Sequence, residues 1–437
     1  MTSRGWCFAL FAIWLLVGVW NAPAAASGGL SLAAEPTESV RVSSRHDDKP
    51  AQQVGQHPNT LDTEADEADE ADDEDSADDR DDAEETPAPW YERLRFGGDF
   101  RSRYEGFYQD GRPTRNRGRM RLRFTLDTDI NEDMRFRMRI GSGDPGTPVS
   151  LNQTFTSFFR PKPFHIDRAY GVYNPLAAPA LTLGMGKFPT PMNRTQMTFD
   201  DDLNFEGIWE QVSWSPRPGV GIDLMAMQTA VDEASRGADS YMLAGYGAVS
   251  LDMGSHSLQV SAANYGWGNV DRIALAQLRD DLGSVLTNQL VRNGAGDVVG
   301  FASTFNVVDV IAEATFETSK RGYPLRVLAE YAKNTRAAND RDRGAWVEAG
   351  YGDPEPAGSW GVTYTYGWVQ QDLTPSGFVF SDVPGTNIRM SMIEASYVPK
   401  VGLSLDVTLH LTRRLVVPDG DPNNLLARLH VAAMVRF

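Results

Sequence analysis

The residues with the clearest chemical capacity are arginines at alternate positions in RGRMRLRFTLDTDINEDMRFRMRI, residues 117–140. Guanidinium groups stay charged at any physiological pH and bind carboxylates and phosphates through paired hydrogen bonds. The first row is Arg119, Arg121 and Arg123, and the second row is Arg135, Arg137 and Arg139. Such rows predict a surface that attracts anions.

Histidines could supply acid–base catalysis if they converged with a nucleophile and a carboxylate. His165 and Asp167 lie at the edge of a predicted loop, and His410 and His430 are predicted to point to the same side of adjacent strands. No serine accompanies them in an obvious pattern. We therefore assign no catalytic residue and expect these histidines to line an interior surface.

Two groups of carboxylates raise the question of a metal site. Asp200, Asp201 and Asp202 are consecutive, and Asp419 and Asp421 share a later loop. Calcium takes about 6 to 8 oxygen ligands from several directions, whereas consecutive side chains diverge. Solvated loops are the favoured interpretation, and we expect neither a metal nor a cofactor.

The element that carries the arginines must be a strand. Met120, Leu122, Phe124 and Leu126 alternate with the first row, and a period of two places successive side chains on opposite faces of a sheet. Three environments would accept such a strand: a solvated sheet edge, a nucleic-acid surface, or the water-facing wall of a membrane barrel.

The N-terminal residues 1–26 have the pattern of a secretory signal peptide. One basic residue, Arg4, precedes an apolar run from Trp6 to Trp20, and small residues lead to a predicted cleavage point after Ala26. The run is shorter than the about 20 residues of a spanning helix. The only cysteine, Cys7, lies in this segment, so the mature chain is predicted to contain no disulfide and no cysteine-based metal site.

An acidic segment follows the signal. Residues 62–85 contain 16 acidic residues and one arginine, which accounts for −15 of the chain's net charge of −18. A segment of this composition repels itself and cannot bury enough apolar surface to fold. We predict that residues 27–89 form a disordered arm, serving either as a solvated spacer or as a binder of cations or partners.

Residues 90–437 are predicted to form a transmembrane antiparallel β-barrel. No apolar stretch of about 18 residues follows the signal, which excludes spanning helices and leaves the barrel as the membrane alternative. Alternating segments number sixteen. They are 94–108, 116–130, 134–142, 165–173, 181–188, 205–215, 219–230, 240–252, 256–267, 304–319, 325–334, 344–352, 359–372, 387–398, 402–413 and 425–437.

The connections between these segments alternate in length. Every second one is short, as in NED at 131 and GSH at 254, and those between them are mostly longer and polar. Outer-membrane barrels have tight turns on the periplasmic side and longer loops outside. Both termini are therefore predicted to be periplasmic.

The barrel hypothesis accounts for the arginines. With NED as a turn, Asp129 is predicted to lie opposite Arg135 and Asp127 opposite Arg137. An arginine facing lipid near the bilayer centre costs about 2 to 4 kcal/mol, so the charged face must be the lumen. Arg101 and Arg103 share this parity in the neighbouring strand. The exported, slightly acidic barrel carries no nucleic-acid-binding module, so we expect no nucleic acid.

One long connection, between Trp267 and Thr304, contains leucines at every fourth position: Leu278, Leu282, Leu286 and Leu290. This spacing predicts a helix. The helix could fold into or over the pore, or cap the rim from outside, and the sequence leaves both placements open.

The chain resembles a family of outer-membrane proteins. The C-terminal pattern Leu429, Val431, Ala433, Val435 and Phe437 is similar to the assembly signal of Gram-negative barrels. The stretches GDFRSRYEG, IDRAYGVY, LGMGKFPTPM with FDDDLNFEGI, PLRVLAEYAKNT, and SWGVTYTYGWVQQDLTPSGFVFSD resemble putative porins over residues 92–437.

The resemblance implies a sixteen-stranded porin in the bacterial outer membrane that admits small hydrophilic solutes by passive diffusion. The arginines add the expectation of a modest anion preference. The expected partners are outer-membrane lipid, the permeating solutes and the assembly machinery. The sequence leaves open whether the chain forms a homo-oligomer. The alternatives are a non-conducting barrel that binds a partner through its arm or loops, and, less favoured, a barrel enzyme.

Overall fold

The computed structural model describes residues 90–155, 158–280, 282 and 286–437 of the chain. The predicted signal peptide (1–26) and acidic arm (27–89) lie outside the described residues. Both stay predictions.

The described residues contain nineteen strands, one α-helix and two short 3-10 helices, Trp90–Arg93 and Ser376–Phe378. The strands are β1 (Leu94–Gln109), β2 (Arg115–Asp129), β3 (Met134–Ser142), β4 (Gln153–Thr154), β5 (Phe164–Tyr173), β6 (Leu181–Pro189), β7 (Asn204–Arg217), β8 (Val220–Asp232), β9 (Ser240–Asp252), β10 (His256–Gly268), β11 (Leu290–Arg292), β12 (Val298–Phe301), β13 (Asn306–Phe316), β14 (Leu325–Asn334), β15 (Arg343–Gly352), β16 (Trp360–Val369), β17 (Ile388–Lys400), β18 (Leu403–Arg414) and β19 (Leu426–Arg436). The helix is α1 (Asp271–Arg279).

Sixteen of these strands form one closed antiparallel barrel, in which each pairs with its neighbours and β19 pairs with β1. The predicted fold class and strand number are confirmed. The three short strands β4, β11 and β12 lie in loops and were not predicted. Closure leaves no unpaired edge, which is what a sheet needs in order to cross lipid.

The alternation of side chains across the barrel wall follows the sequence pattern. In β2, Arg119 and Arg121 are buried on the lumen side, whereas Phe124 on the outer side is exposed. The β2–β3 hairpin has the predicted register, with Asp127 opposite Arg137 and Asp129 opposite Arg135. The apolar periodicity therefore specified both faces of this hairpin.

The two ends of the barrel differ. One, the short-turn end, contains the tight turns such as 218–219 and 253–255, together with Trp90 and Phe437. The opposite, long-loop end contains the β3–β5 loop (143–163), the β6–β7 loop (190–203), the β10–β13 loop (269–305) and the β16–β17 loop (370–387).

Two of the long loops fold into the barrel. Phe199 of the β6–β7 loop packs edge-on against Tyr265 of β10, with ring centroids 4.9 Å apart. Phe380 of the β16–β17 loop packs between Trp346 of β15 and His410 of β18, at centroid distances of 6.1 and 5.7 Å. The resulting apolar cluster fills lumen on the long-loop side.

Helix α1 is shorter than predicted and contains only Leu278 of the four leucines. It ends at Arg279, so Leu282 and Leu286 lie beyond it and Leu290 opens β11. The sequence offers a reason, because Gly283 follows soon after Arg279 and glycine costs about 1 kcal/mol in a helix interior. No helix among the described residues is long and apolar enough to span a membrane.

The position of α1 is set by its contacts with other loops. The carboxylate of Asp271 accepts a hydrogen bond from the Phe301 N–H of β12 at 3.0 Å. Gln277 is buried directly beside Gly377 of the β16–β17 loop, where an added Cβ would lie 2.7 Å from the glutamine side chain. The helix therefore covers the barrel mouth together with the β16–β17 loop.

Candidate functional site

The predicted arginine row of β2 faces the lumen beside two arginines of β1. Arg101 lies opposite Arg121 and Arg103 lies opposite Arg119 in the strand register. Like charges directly opposite each other destabilise a strand pair. Carboxylates must therefore intervene, and the structure contains two such groups.

The first group consists of Asp99 and Asp202. Asp99 of β1 accepts hydrogen bonds from Arg121 Nη2 at 3.0 Å and from Arg123 Nε at 2.6 Å. Asp202, from the β6–β7 loop, lies 3.7 Å from Arg121 and 3.9 Å from Arg123. Two carboxylates thus neutralise two arginines, and the loop is tied electrostatically to the wall.

The second group is centred on Glu105, whose side chain is fully buried. It forms ion pairs with Arg103, with Arg117 at 2.6 Å and with Arg119 at 3.6 Å. Asn152 of the β3–β5 loop adds an amide oxygen that accepts a hydrogen bond from Arg101 at 2.9 Å. This neighbourhood holds more arginines than carboxylates.

Burial changes the interpretation of the row. Arg119, Arg121 and Arg123 have relative exposures of 4%, 6% and 7%, although the sequence predicted a water-facing wall. Loops from the long-loop end pack against these arginines and bring carboxylates with them. The role of these three arginines in lining a pore stays a prediction.

Part of the basic wall borders a cavity of about 380 Å³ that opens toward the short-turn end. Arg101, Arg103 and Arg121 line one side, on β1 and β2. The other side is lined by Arg326 of β14 and by carboxylates of β13, β15, β17 and β18: Glu313, Glu348, Glu394 and Asp406. A solute in this cavity therefore meets mainly guanidinium groups on one wall and mainly carboxylates on the opposite wall.

The β3 row borders a smaller cavity of about 220 Å³, lined by Arg123, Arg137 and Arg139 among others. Arg137 pairs with Asp127 at 3.2 Å, and Arg139 pairs with Asp167 of β5. Arg135 is the most exposed of the row and pairs with Asp129 at 2.7 Å. The row is thus largely neutralised by carboxylates.

His410 and His430 lie on adjacent strands with their ring nitrogens, Nε2 and Nδ1, 3.2 Å apart. Asp382 of the β16–β17 loop lies 4.0 Å from His410 and 3.8 Å from His430, and 2.9 Å from Arg428 of β19. The inward direction of the histidines was predicted. Asp382 was not, because no local pattern marks a loop aspartate that reaches a distant wall.

The structure corrects the prediction that Asp200, Asp201 and Asp202 are solvated loop carboxylates. Asp200 and Asp202 are buried, at 1% and 6% exposure, and Asp201 pairs with Arg194. They bind the protein itself and diverge from one another.

In the described chain, the group of three donors close enough for a metal is Asp382, His410 and His430. Asp167, considered with His165, instead binds Arg139 and Asn204.

The predicted assembly signal lies on the outer face of β19. Val431, Val435 and Phe437 are exposed on that face. The backbone of Phe437 exchanges hydrogen bonds of 2.8 and 3.0 Å with Gly98, and its ring covers the outer side of that glycine. Phe437 thus forms the final rung of the seam that closes the barrel.

Comparison with known families adds to this geometry. Residues 107–274 match a family model described as "Putative porin". The predicted porin resemblance is confirmed. The matched segment of this porin-like chain includes the arginine rows of β2 and β3 and the β6–β7 loop.

Solved porins share the architecture. The high-pH structure of OprB from Pseudomonas putida matches with a TM-score of 0.52 and 12% identity, covering 79% of this chain and 95% of that one. The complex of OmpF from Salmonella typhi with daunomycin gives a TM-score of 0.47 and 10% identity, covering 79% and 97%. At 12% identity the similarity to OprB is one of fold. No curated protein matches the chain in sequence.

Proposed function

We propose that this porin-like barrel lies in the outer membrane and lets small hydrophilic solutes cross by passive diffusion, with a modest preference for anions. The observation that carries the proposal is the cavity of about 380 Å³ inside a closed barrel, lined by charged side chains. A polar interior enclosed by an apolar outer face suits the passage of hydrophilic solutes. The putative-porin match and the shared fold support the outer-membrane location.

The anion preference follows from the arrangement of charge along the cavity. Arg101, Arg103 and Arg121 form a dense positive wall, and surplus arginines surround Glu105 behind it. Two charges about 7 Å apart in water interact by about 0.6 kcal/mol. The lining of this cavity contains five arginines and six carboxylates. The carboxylates offset most of the attraction, which is why the preference is modest.

Recording from planar bilayers tests the proposal. Purified, folded protein should produce discrete conductance steps, and under a KCl gradient the reversal potential should indicate a small preference for chloride. Preference for potassium would reject the anion component while leaving the channel intact. Absence of steps from protein that is verifiably folded would reject the channel.

A specific observation favours a second function, that of a non-conducting anchor. The β6–β7 and β16–β17 loops meet inside the barrel, where Phe380 N–H donates to the Gln196 carbonyl at 3.0 Å. If they close the lumen fully, the barrel would serve to hold the acidic arm or the outer loops for a partner. Liposome swelling with small sugars separates the two functions, since only a channel admits them.

An enzymatic role is less favoured, and assays with ester and peptide substrates would test it.

The proposed orientation places the short-turn end and both termini in the periplasm, with outer-membrane lipid around the barrel and the assembly machinery acting on β19. An epitope inserted in the 415–425 loop should be accessible on intact cells, and one placed before Trp90 should not. The reverse result would invert the orientation. Chemical crosslinking in the membrane would decide whether the barrel forms a homo-oligomer.

A further inference from the structure

Asp382 is a loop residue whose carboxylate is enclosed by groups of the barrel wall. Its side chain is 0% exposed and lies 2.9 Å from Arg428 Nη2. His410 and His430 approach it at 4.0 and 3.8 Å, and Arg103 interacts with it electrostatically. These four wall residues are called the cradle below.

The cradle is built on strands of the barrel wall. Arg103 belongs to β1, His410 to β18, and Arg428 and His430 to β19. Arg428 is held further by Glu105 at 3.4 Å and lies over the ring of Phe107 at 4.7 Å. Side chains fixed in this way on paired strands form a preorganised site.

Charge decides which ligand suits the cradle. Asp382, His410 and His430 are close enough to hold a metal ion. However, the carboxylates of Asp382 and Glu105 face four buried arginines, which are Arg103, Arg117, Arg119 and Arg428. A surplus of positive charge in a poorly hydrated region repels a cation and favours an anion.

A dissolved anion can reach the cradle without passing the long loops. The cavity of about 380 Å³ is lined by Arg103 and His430, two members of the cradle, and by Thr408, which lies directly opposite His430 in the strand register. A small carboxylate in the cavity therefore meets two of the four groups that enclose Asp382 from the other side. The cavity and the loop converge on one site.

We propose that the cradle is a binding site for small carboxylates, and that Asp382 occupies it as a tethered carboxylate in this structure. A carboxylate solute that takes the place of Asp382 removes one attachment of the β16–β17 loop and loosens the loop within the lumen. The part of this inference that concerns permeation rests on the proposed channel function; the binding site does not.

Acetate is the appropriate probe, because it reproduces the end of an aspartate side chain. Hydrogen–deuterium exchange of the β16–β17 loop is measured on folded full-length protein in acetate and in chloride of equal ionic strength. Acetate should accelerate exchange around Asp382 about tenfold or more, the factor expected for the loss of one charge-assisted hydrogen bond. Unchanged exchange in the wild-type protein would overturn the proposal without any mutation.

Variants sharpen the test. Asp382→Asn keeps the size of the side chain and removes its charge, so the loop should exchange rapidly already in chloride and show no further response to acetate. Asp419→Asn, in the exposed 415–425 loop, is the matched control and should respond as the wild type does. Resistance to cold SDS verifies folding of each variant. If the Asp382→Asn protein behaves as the wild type does, the proposal that Asp382 occupies the cradle and holds the loop is rejected.

Conductance supplies an independent readout. If the barrel conducts, acetate should raise the open fraction of the wild-type channel and leave Asp382→Asn unaffected. A barrel that never conducts but whose loop responds to acetate would reject the channel and retain the carboxylate site. A conducting barrel whose loop exchange does not change in acetate would retain the channel and reject the carboxylate site.

Discussion

Asp200 of the β6–β7 loop accepts hydrogen bonds from both the backbone N–H and the hydroxyl of Ser381 in the β16–β17 loop, each at 2.8 Å. Two loops separated by 181 residues are therefore fastened inside the barrel by one carboxyl group. This clasp, the Asp200–Ser381 contact, lies beside the cradle that holds Asp382.

The region around the clasp should loosen in alkaline solution, because an ionised Asp200 is a buried charge beside Asp202 and Asp201. Burial, reinforced by Asp202 and Asp201, raises the pKa of Asp200 to about 8, from about 3.9 in an unfolded chain. Because the folded protein favours the neutral carboxyl, this stabilisation is complete below about pH 4 and is lost as the pH rises through about 8. Exchange of the loop amides, corrected for intrinsic rates, should increase between pH 7 and pH 9. Asp200→Asn should abolish the increase, and Asp419→Asn should retain it.

Ion preference should respond to the acidic wall of the large cavity. Glu394→Gln removes one carboxylate from the side opposite Arg101 and Arg103, so chloride should be favoured further. One charge at about 7 Å is worth about 0.6 kcal/mol, or about threefold in the permeability ratio. The reversal potential under a KCl gradient measures this shift. A shift toward potassium would mean that these walls do not govern permeation.

Reversal of Arg119, Arg121 and Arg123 to glutamate is expected to impair folding before it alters selectivity. Each is buried against carboxylates, so the triple variant would place like charges together without water. Removing one partner of a buried ion pair costs about 3 to 5 kcal/mol. The yield of SDS-resistant barrel should therefore fall sharply. A normal yield would show that this wall is hydrated.

Barrel closure should depend on the last residue. Deletion of Phe437 removes two backbone hydrogen bonds to Gly98 and the ring that covers it, so the amount of folded protein in the membrane should decrease. Arg436→Gln keeps the backbone seam and should have a smaller effect. Quantifying the heat-modifiable form in membrane fractions compares the two. Equal levels after deletion would contradict the predicted assembly signal.

The described barrel and the predicted arm should differ in their resistance to denaturants and proteases. Sixteen paired strands predict a β-type circular dichroism spectrum and resistance to SDS until heated. The composition of residues 27–89 predicts rapid cleavage there. A limited digest should yield a stable fragment that begins close to Trp90. Protection of the acidic segment would indicate that it is bound.

Periodicity in the sequence determined the strands and their faces. Met120 and Leu122 on one side of β2, against Arg119 and Arg121 on the other, required a sheet with apolar and polar faces, because side chains alternate along a strand. The β2–β3 register followed from the short turn. The closing pair of β19 with β1 is the consequence of a barrel without edges.

Only the tertiary structure decided what the charged face meets. Asp202, Asp200 and Asp382 lie in loops whose local sequence has no period, and their partners are up to 181 residues away. Whether an inward arginine meets water or a loop carboxylate depends on how those loops fold into the lumen. Alternation specifies the side of the wall a residue occupies, and long-range packing and charge pairing specify its environment.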